Sequence, residues 1–197
     1  MRSVEPSQLP LVFADRPRGS ERAESPAKEG EAFLRRIAKA RKTPGPTTPA
    51  AASARLLDEV ASAPNLAQAL LHVARNRGAA GVDGASVEEV VAGARRLLPR
   101  LRRDLRTGRY RPGDVRRVWI PKPGGGRRGL GIPNVVDRWV QQAVHQILAP
   151  VFEPGFHPSS HGFRPGRGAS TAIAEAKRHV EEGCTWVVSI DLSRFFD

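Results

Sequence analysis

A single cysteine, a single methionine and a single tyrosine occur in 197 residues, and aromatic residues make up only 6% of the chain. One cysteine forms no intrachain disulfide, which excludes the disulfide-stapled scaffolds of secreted domains. A reducing, cytoplasmic setting is therefore expected, with Cys184 a small apolar filler beside Trp186. Long apolar runs are lacking as well. No stretch reaches the roughly 18 apolar residues of a membrane span, and the N-terminus has no signal-peptide core, so a soluble protein without a membrane partner is expected. The five histidines (His72, His145, His157, His161 and His179) stand at no metal-ligand spacing. A histidine-built metal centre is not expected.

Acidic residues are in short supply too: 20 Asp and Glu against 32 Lys and Arg, a net charge of +12. The excess is local. Between Arg95 and Arg138 there are 14 basic residues and three acids (Asp104, Asp114, Asp137), a net of +11 in about a quarter of the chain. A charge kept for solubility would be diffuse, whereas a patch points to a polyanionic partner.

Residues 1–53 are rich in Pro, Ala, Ser, Glu and Arg and bury too little apolar surface to offset ordering, so a disordered low-complexity tail is expected there. Phe33, Leu34 and Ile37 share one face of a short candidate helix inside it. A folded unit is expected over 54–197. A short helix at Leu56, Leu57 and Val60 stops near Pro64, and Asn65 caps a second helix ended by Gly78. Gly81-Val82-Asp83-Gly84 then reads as a turn that allows close backbone approach.

Ser86 and Glu89 form a capping box that opens a long amphipathic helix, with Pro99 expected to kink or split it. Arg95, Arg96, Arg100, Arg102, Arg103 and Arg106 fall largely off its apolar face. One such arginine is an ordinary solvated side chain. Six together, followed by a basic hairpin that carries Arg117, favour contact with a phosphate backbone. That hairpin is expected from residues 115–121 and 127–132, which flank Pro123-Gly124-Gly125-Gly126. Lys122 and Arg128 emerge near its tip, one a point charge and the other a bidentate fork, beside glycine N–H groups able to meet a triphosphate. A buried helix follows from Val135 to Leu148, ended by Pro150. Next comes a loop dense in Gly, Pro, Arg and aromatics, where Arg164 and Arg167 beside Phe163 suit a single-stranded nucleic-acid path. A helix over 169–182 leads to an apolar, β-branched run at 186–190, which reads as a buried strand ending on Asp191. A carboxylate at the end of a buried strand suits either a Mg²⁺ site for nucleotidyl transfer or a plain helix cap.

Five motifs occur in order: Gly81-Val82-Asp83-Gly84; Ile120-Pro121-Lys122-Pro123-Gly124-Gly125-Gly126; Leu130-Gly131-Ile132-Pro133 with Asp137-Arg138 and Gln141-Gln142-Ala143; Gly162-Phe163-Arg164-Pro165-Gly166-Arg167; and Asp191-Leu192-Ser193-Arg194-Phe195-Phe196-Asp197. Together they resemble the N-terminal part of a group II intron reverse transcriptase/maturase. The resemblance implies an α+β fingers-and-palm fold, helix-rich, with the hairpin and the first palm strand. It implies an RNA-directed DNA polymerase that also binds its intron RNA, with an RNA template and a DNA primer or target as partners.

Position by position, Lys122 and Arg128 fall on the fingertip residues that grip the incoming dNTP. Asp191 falls on the first palm carboxylate that binds Mg²⁺, and Phe195 on the aromatic that packs against the deoxyribose. Arg164 matches a template-side loop, and Asp197 is expected to be structural. The family takes its remaining metal carboxylates from a Tyr-X-Asp-Asp hairpin that is not among these residues. The chain alone is therefore expected to be inactive, completed by a C-terminal fragment or a dimer partner. The competing expectation is a non-catalytic basic RNA-binding module, or a gene fragment that does not fold.

Overall fold

Leucine, valine and alanine at three- and four-residue spacing bring five helices around one core: α1 (Pro26–Ala38), α2 (Ala63–Arg75), α3 (Val87–Ala92), α4 (Ala94–Arg106) and α5 (Val135–Phe152). The structure is a computed structural model that describes residues 25–39 and 56–192. Residues 56–60 are also helical. Leu34, Leu66, Leu70, Val135 and Trp139 are fully buried at the centre.

The low-complexity expectation for 1–53 does not hold over 26–38. Composition there is poor in apolar residues, but Leu34 is buried among α2, α3 and α4, with Phe33 and Ile37 packed at its sides. A short amphipathic helix of this kind draws its stability from tertiary packing rather than from its own propensity. Gly30 makes the seat close. A Cβ built there would lie 2.7 Å from the Val91 carbonyl carbon, and nearer still to its oxygen. The remaining residues of the expected tail, 1–24 and 40–53, lie outside the described residues.

Two helix boundaries differ from expectation for local reasons. Asn65 is not a cap: Ser62 Oγ accepts the Asn65 N–H at 3.3 Å, and Pro64 sits in the first turn, where its missing N–H costs nothing. The buried Asn65 side chain donates instead to the Val60 carbonyl at 3.1 Å and the Ala143 carbonyl at 2.9 Å, joining α2 to α5. Likewise, the helix opened by the Ser86/Glu89 capping box breaks at Gly93, which ends α3 and begins α4, while Pro99 rides inside α4. The bond that Pro99 forgoes is to the Arg95 carbonyl in the first, solvent-facing turn, where water substitutes. The apolar side of α4 (Leu98, Leu101, Leu105) is buried and its arginines are exposed, as the spacing predicts.

The hairpin forms as expected. β1 (Arg116–Pro121) and β2 (Arg127–Ile132) pair antiparallel, with Val118 opposite Leu130 and Ile120 opposite Arg128. Nearly all of it stands in solvent. α5 runs through Pro150 to Phe152 before a 3₁₀ turn at Glu153–Gly155, a loop at 156–168 and α6 (Ala169–Glu181).

The strand expected at 186–190 is not present. Trp186, Val187, Val188 and Ile190 are all exposed, and β1–β2 is the one sheet among the described residues. A strand exists only by pairing its N–H and C=O groups with a neighbour, and these residues have none. Cys184 is exposed and packs against nothing as a filler. The helix-rich α+β character with a hairpin therefore stands, without the palm strand.

Candidate nucleotide and nucleic-acid interface

The hairpin tip is made by backbone. Lys122 N–H donates to the Gly126 carbonyl and Gly125 N–H to the Lys122 carbonyl, both at 3.1 Å. Gly125 and Gly126 take φ of 88° and 81°, values that side chains disfavour. Strand alternation sets Lys122 and Arg128 on one face, together with Ile120, Val118 and Leu130. Both cations are exposed, and neither has a carboxylate within ion-pair distance among the described residues. The geometry offers two unneutralised cations beside a flexible glycine tip, which suits an anionic phosphate group.

The base of the hairpin is tied by three side chains at the start of α5, and sequence reasoning gave these no role. Asn134 Oδ1 accepts the N–H groups of Val82 at 2.9 Å and Asp83 at 3.3 Å, so the Gly81–Gly84 turn is held by protein. Asp137, buried, accepts the Tyr110 hydroxyl and the Gly113 N–H, the latter at 3.1 Å. Arg138 donates to the Ala79 carbonyl at 2.6 Å. Burial, and then the Asp137 carboxylate, push the Tyr110 phenol above its ordinary range. The available signal was a carboxylate on the buried side of an apolar helix, between Val135 and Trp139. Such a group requires donors.

The 156–168 loop uses its cations internally. The Arg164 guanidinium pairs with Glu153 at 2.8 Å, donates to the His157 and Ser160 carbonyls at 2.8 and 2.9 Å, and lies 5.3 Å from the Phe156 ring centre. Arg167 donates to the Pro158 carbonyl. Loop carbonyls without a sheet or helix to pair with recruit these donors. The side chain left outward is Phe163, fully exposed at a φ of 55°.

A second polar cluster docks the loop on α6. Glu175 accepts from Ser159 Oγ at 2.5 Å and sits 2.7 Å from His161 Nε2, while His161 Nδ1 lies 2.9 Å from Thr171 Oγ1. The Ser159 hydrogen bond, then that of His161, holds the Glu175 carboxyl down at about 2. A carboxyl depressed on folding adds stability above its unfolded value, 4.5, and loses it as pH falls towards about 2. Glu175→Gln should therefore flatten the acid limb of a thermal-melt series between those pH values. Parallel limbs in the two proteins would show that the cluster does not hold the loop.

On α4, Arg106 pairs with Asp58 at 2.9 Å, Arg103 lies 3.4 Å from Asp104, and Arg95 stands 5.3 Å from the Phe33 ring centre. Arg96 and Arg102 are exposed without an ion pair among the described residues. Arg117 stacks on Trp119. Asp191 is exposed and accepts the Leu192 N–H at 2.9 Å, a local turn contact. No group of three or more His, Cys, Asp or Glu residues suited to a metal occurs among the described residues. Phe195 and Asp197 lie outside them.

Comparison with known proteins agrees with this arrangement. Residues 120–197 match the family described as reverse transcriptase (RNA-dependent DNA polymerase). Protein YkfC of Escherichia coli (strain K12) is 38% identical over 157 residues, covering 77% of this chain and 41% of the relative. The group II intron-encoded protein LtrA of Lactococcus lactis subsp. cremoris is 40% identical over 101 residues, 51% of this chain and 17% of LtrA. A putative COX1/OXI3 intron 2 protein of Saccharomyces cerevisiae is 36% identical over 100 residues, 51% of this chain and 12% of that protein. The chain thus spans from about an eighth to two fifths of the length of these relatives. With the hairpin, its tip cations and the residues that follow them inside the matched region, the chain belongs with the group II intron reverse transcriptases and maturases.

Proposed function

We propose that this chain forms the nucleotide-gripping fingers of an RNA-directed DNA polymerase that also binds intron RNA. The observation that carries the reading is the hairpin tip, where Lys122 and Arg128 share a face, exposed and unneutralised, next to glycines at positive φ. There Lys122 supplies a compact charge and Arg128 a fork for the phosphates of a dNTP. The Asn134/Asp137 ties fix where the hairpin leaves the helical body, and so where those cations stand. Phe195 is assigned to the deoxyribose, and Arg102, Arg103, Arg117, Arg164 and Arg167 to the RNA side. Of these, Arg102 is the most available, and Arg164 acts by shaping its loop.

Polymerases of this family work with divalent ions, for which we take Mg²⁺. The described residues do not make such a site, because a single exposed carboxylate, Asp191, does not hold Mg²⁺ by itself. No step is derived through the ion.

The test is RNA-templated primer extension with dNTPs and Mg²⁺, run with this chain and with any longer reading frame that carries it. Extension is expected where the remaining metal carboxylates are supplied. It should be abolished by Asp191→Asn with RNA binding retained, and Lys122→Ala should raise the KM for dNTP about tenfold or more, the scale of a lost charge-assisted contact. Tight, salt-sensitive RNA binding without extension in either protein would replace this reading with that of a non-catalytic RNA-binding module, which the exposed α4 arginines favour.

A further inference from the structure

The hairpin has a second face that the grip on a nucleotide does not use. It carries Arg117, Trp119 and Pro121 from β1 and Arg127, Gly129 and Gly131 from β2. Trp119 is paired with Gly129, so no side chain stands opposite the indole. The ring lies flat across that glycine, whose Cβ would meet three ring carbons at 3.4–3.8 Å. Trp119 is 54% exposed, and the Arg117 guanidinium stands 5.8 Å from its ring centre. Residues 115–132 contain no Asp or Glu, so Arg117 and Arg127 flank the ring without a neutralising group on the hairpin. A flat indole between two cations, presented to solvent, suits a ligand that alternates planar rings with negative charges.

We propose that this face is a stacking platform for single-stranded nucleic acid: one unstacked base lies on Trp119, and Arg117 and Arg127 hold the phosphates on either side. The glycine floor is what flattens the surface. A side chain at residue 129 would tilt the ring and narrow the seat. A duplex is a poor ligand, because its base faces are already stacked on one another. The proposal rests on the nucleic-acid reading above but on neither the metal nor the polymerisation step.

The experiment uses the 197-residue chain carrying Trp186→Phe. Trp139 is fully buried, so Trp119 is then the solvent-exposed tryptophan. Its fluorescence is followed while a short mixed-sequence oligonucleotide is titrated in, as single-stranded RNA, single-stranded DNA and duplex RNA. Saturable quenching by a single strand is expected, and the tighter of the two single strands names the one held there. Trp119→Ala should weaken single-strand binding about tenfold or more, while Trp119→Phe keeps most of it. The double variant Arg117→Ala/Arg127→Ala should flatten the log–log salt dependence by about 1.4, two single-strand phosphate contacts. Equal melting temperatures check that these exposed changes leave the fold intact. Unchanged affinity in Trp119→Ala, or equal quenching by duplex, overturns the platform while the nucleic-acid reading stands. A wild-type chain without salt-sensitive binding overturns both.

Discussion

Gly30→Ala is expected to destabilise the protein, although the same change in an open helix stabilises it by about 1 kcal/mol. The sign turns on one contact. A Cβ on Gly30 falls onto the Val91 carbonyl group and 3.1 Å from the Ala92 Cα, all of it backbone. Backbone does not swing aside as a side-chain end does, so α1 and α3 must move apart. That loosens Leu34, which is fully buried between them. Overpacking of this kind costs about 1–3 kcal/mol and sometimes more, which outweighs the propensity gain. A net loss of about 2 kcal/mol should lower Tm by roughly 4–8 °C in a chain of this size. A Tm equal to or above that of the unaltered protein would mean that α1 is not seated on α3 as described.

Asp137→Ala is expected to cost more. Its carboxylate satisfies the Tyr110 hydroxyl and the Gly113 N–H, and removal leaves both donors without an acceptor in a half-buried site. Each such loss is about 1–3 kcal/mol, and the two share one network, so about 3–5 kcal/mol is expected in denaturant unfolding. Tyr110, the single tyrosine, gives an independent readout. Its phenol is raised on folding by burial first and by Asp137 second. A raised phenol contributes stability that is complete below its unfolded value, 10.0, and is lost as pH climbs past it. In the variant, tyrosinate absorbance should appear at lower pH than in the unaltered chain. An unchanged denaturation midpoint together with an unchanged tyrosine titration would remove Asp137 from its place at the hairpin base.

The elements legible in the sequence are those that local chemistry decides alone. The Ser86/Glu89 box sets a helix start by bonds three residues apart, and the Pro-Gly-Gly-Gly tip admits little but a turn, so both formed where expected. The apolar and basic sides of α4 also follow from spacing. What misled was context. Residues 26–38 look like linker by composition and are helical because a partner surface exists, while residues 186–190 look like a strand and are not one for want of a partner. Of the candidate site, Lys122 and Arg128 were legible because a glycine tip between cations carries its own meaning. The Asn134, Asp137 and Tyr110 ties were not, since they join residues 24 to 52 positions apart and no local pattern announces them. Arg164 shows the reverse case: a basic, glycine-rich loop suggests a ligand, yet the loop's own carbonyls take up most of the guanidinium's donors.

The way the hairpin is mounted has a mechanical consequence. Its root is bound on both sides, at Gly113 and at Asn134, while its strands make no close packing with the helices. Such an arrangement is a lever on a fixed pivot. Six-residue strands give an arm of about 20 Å, so a rotation of about 10° at the root sweeps the tip through about 3 Å, the length of one hydrogen bond. Small adjustments in the Asn134 and Asp137 bonds are therefore magnified at Lys122. Conversely, a ligand gripped at the tip acts on the root with the full length of the arm.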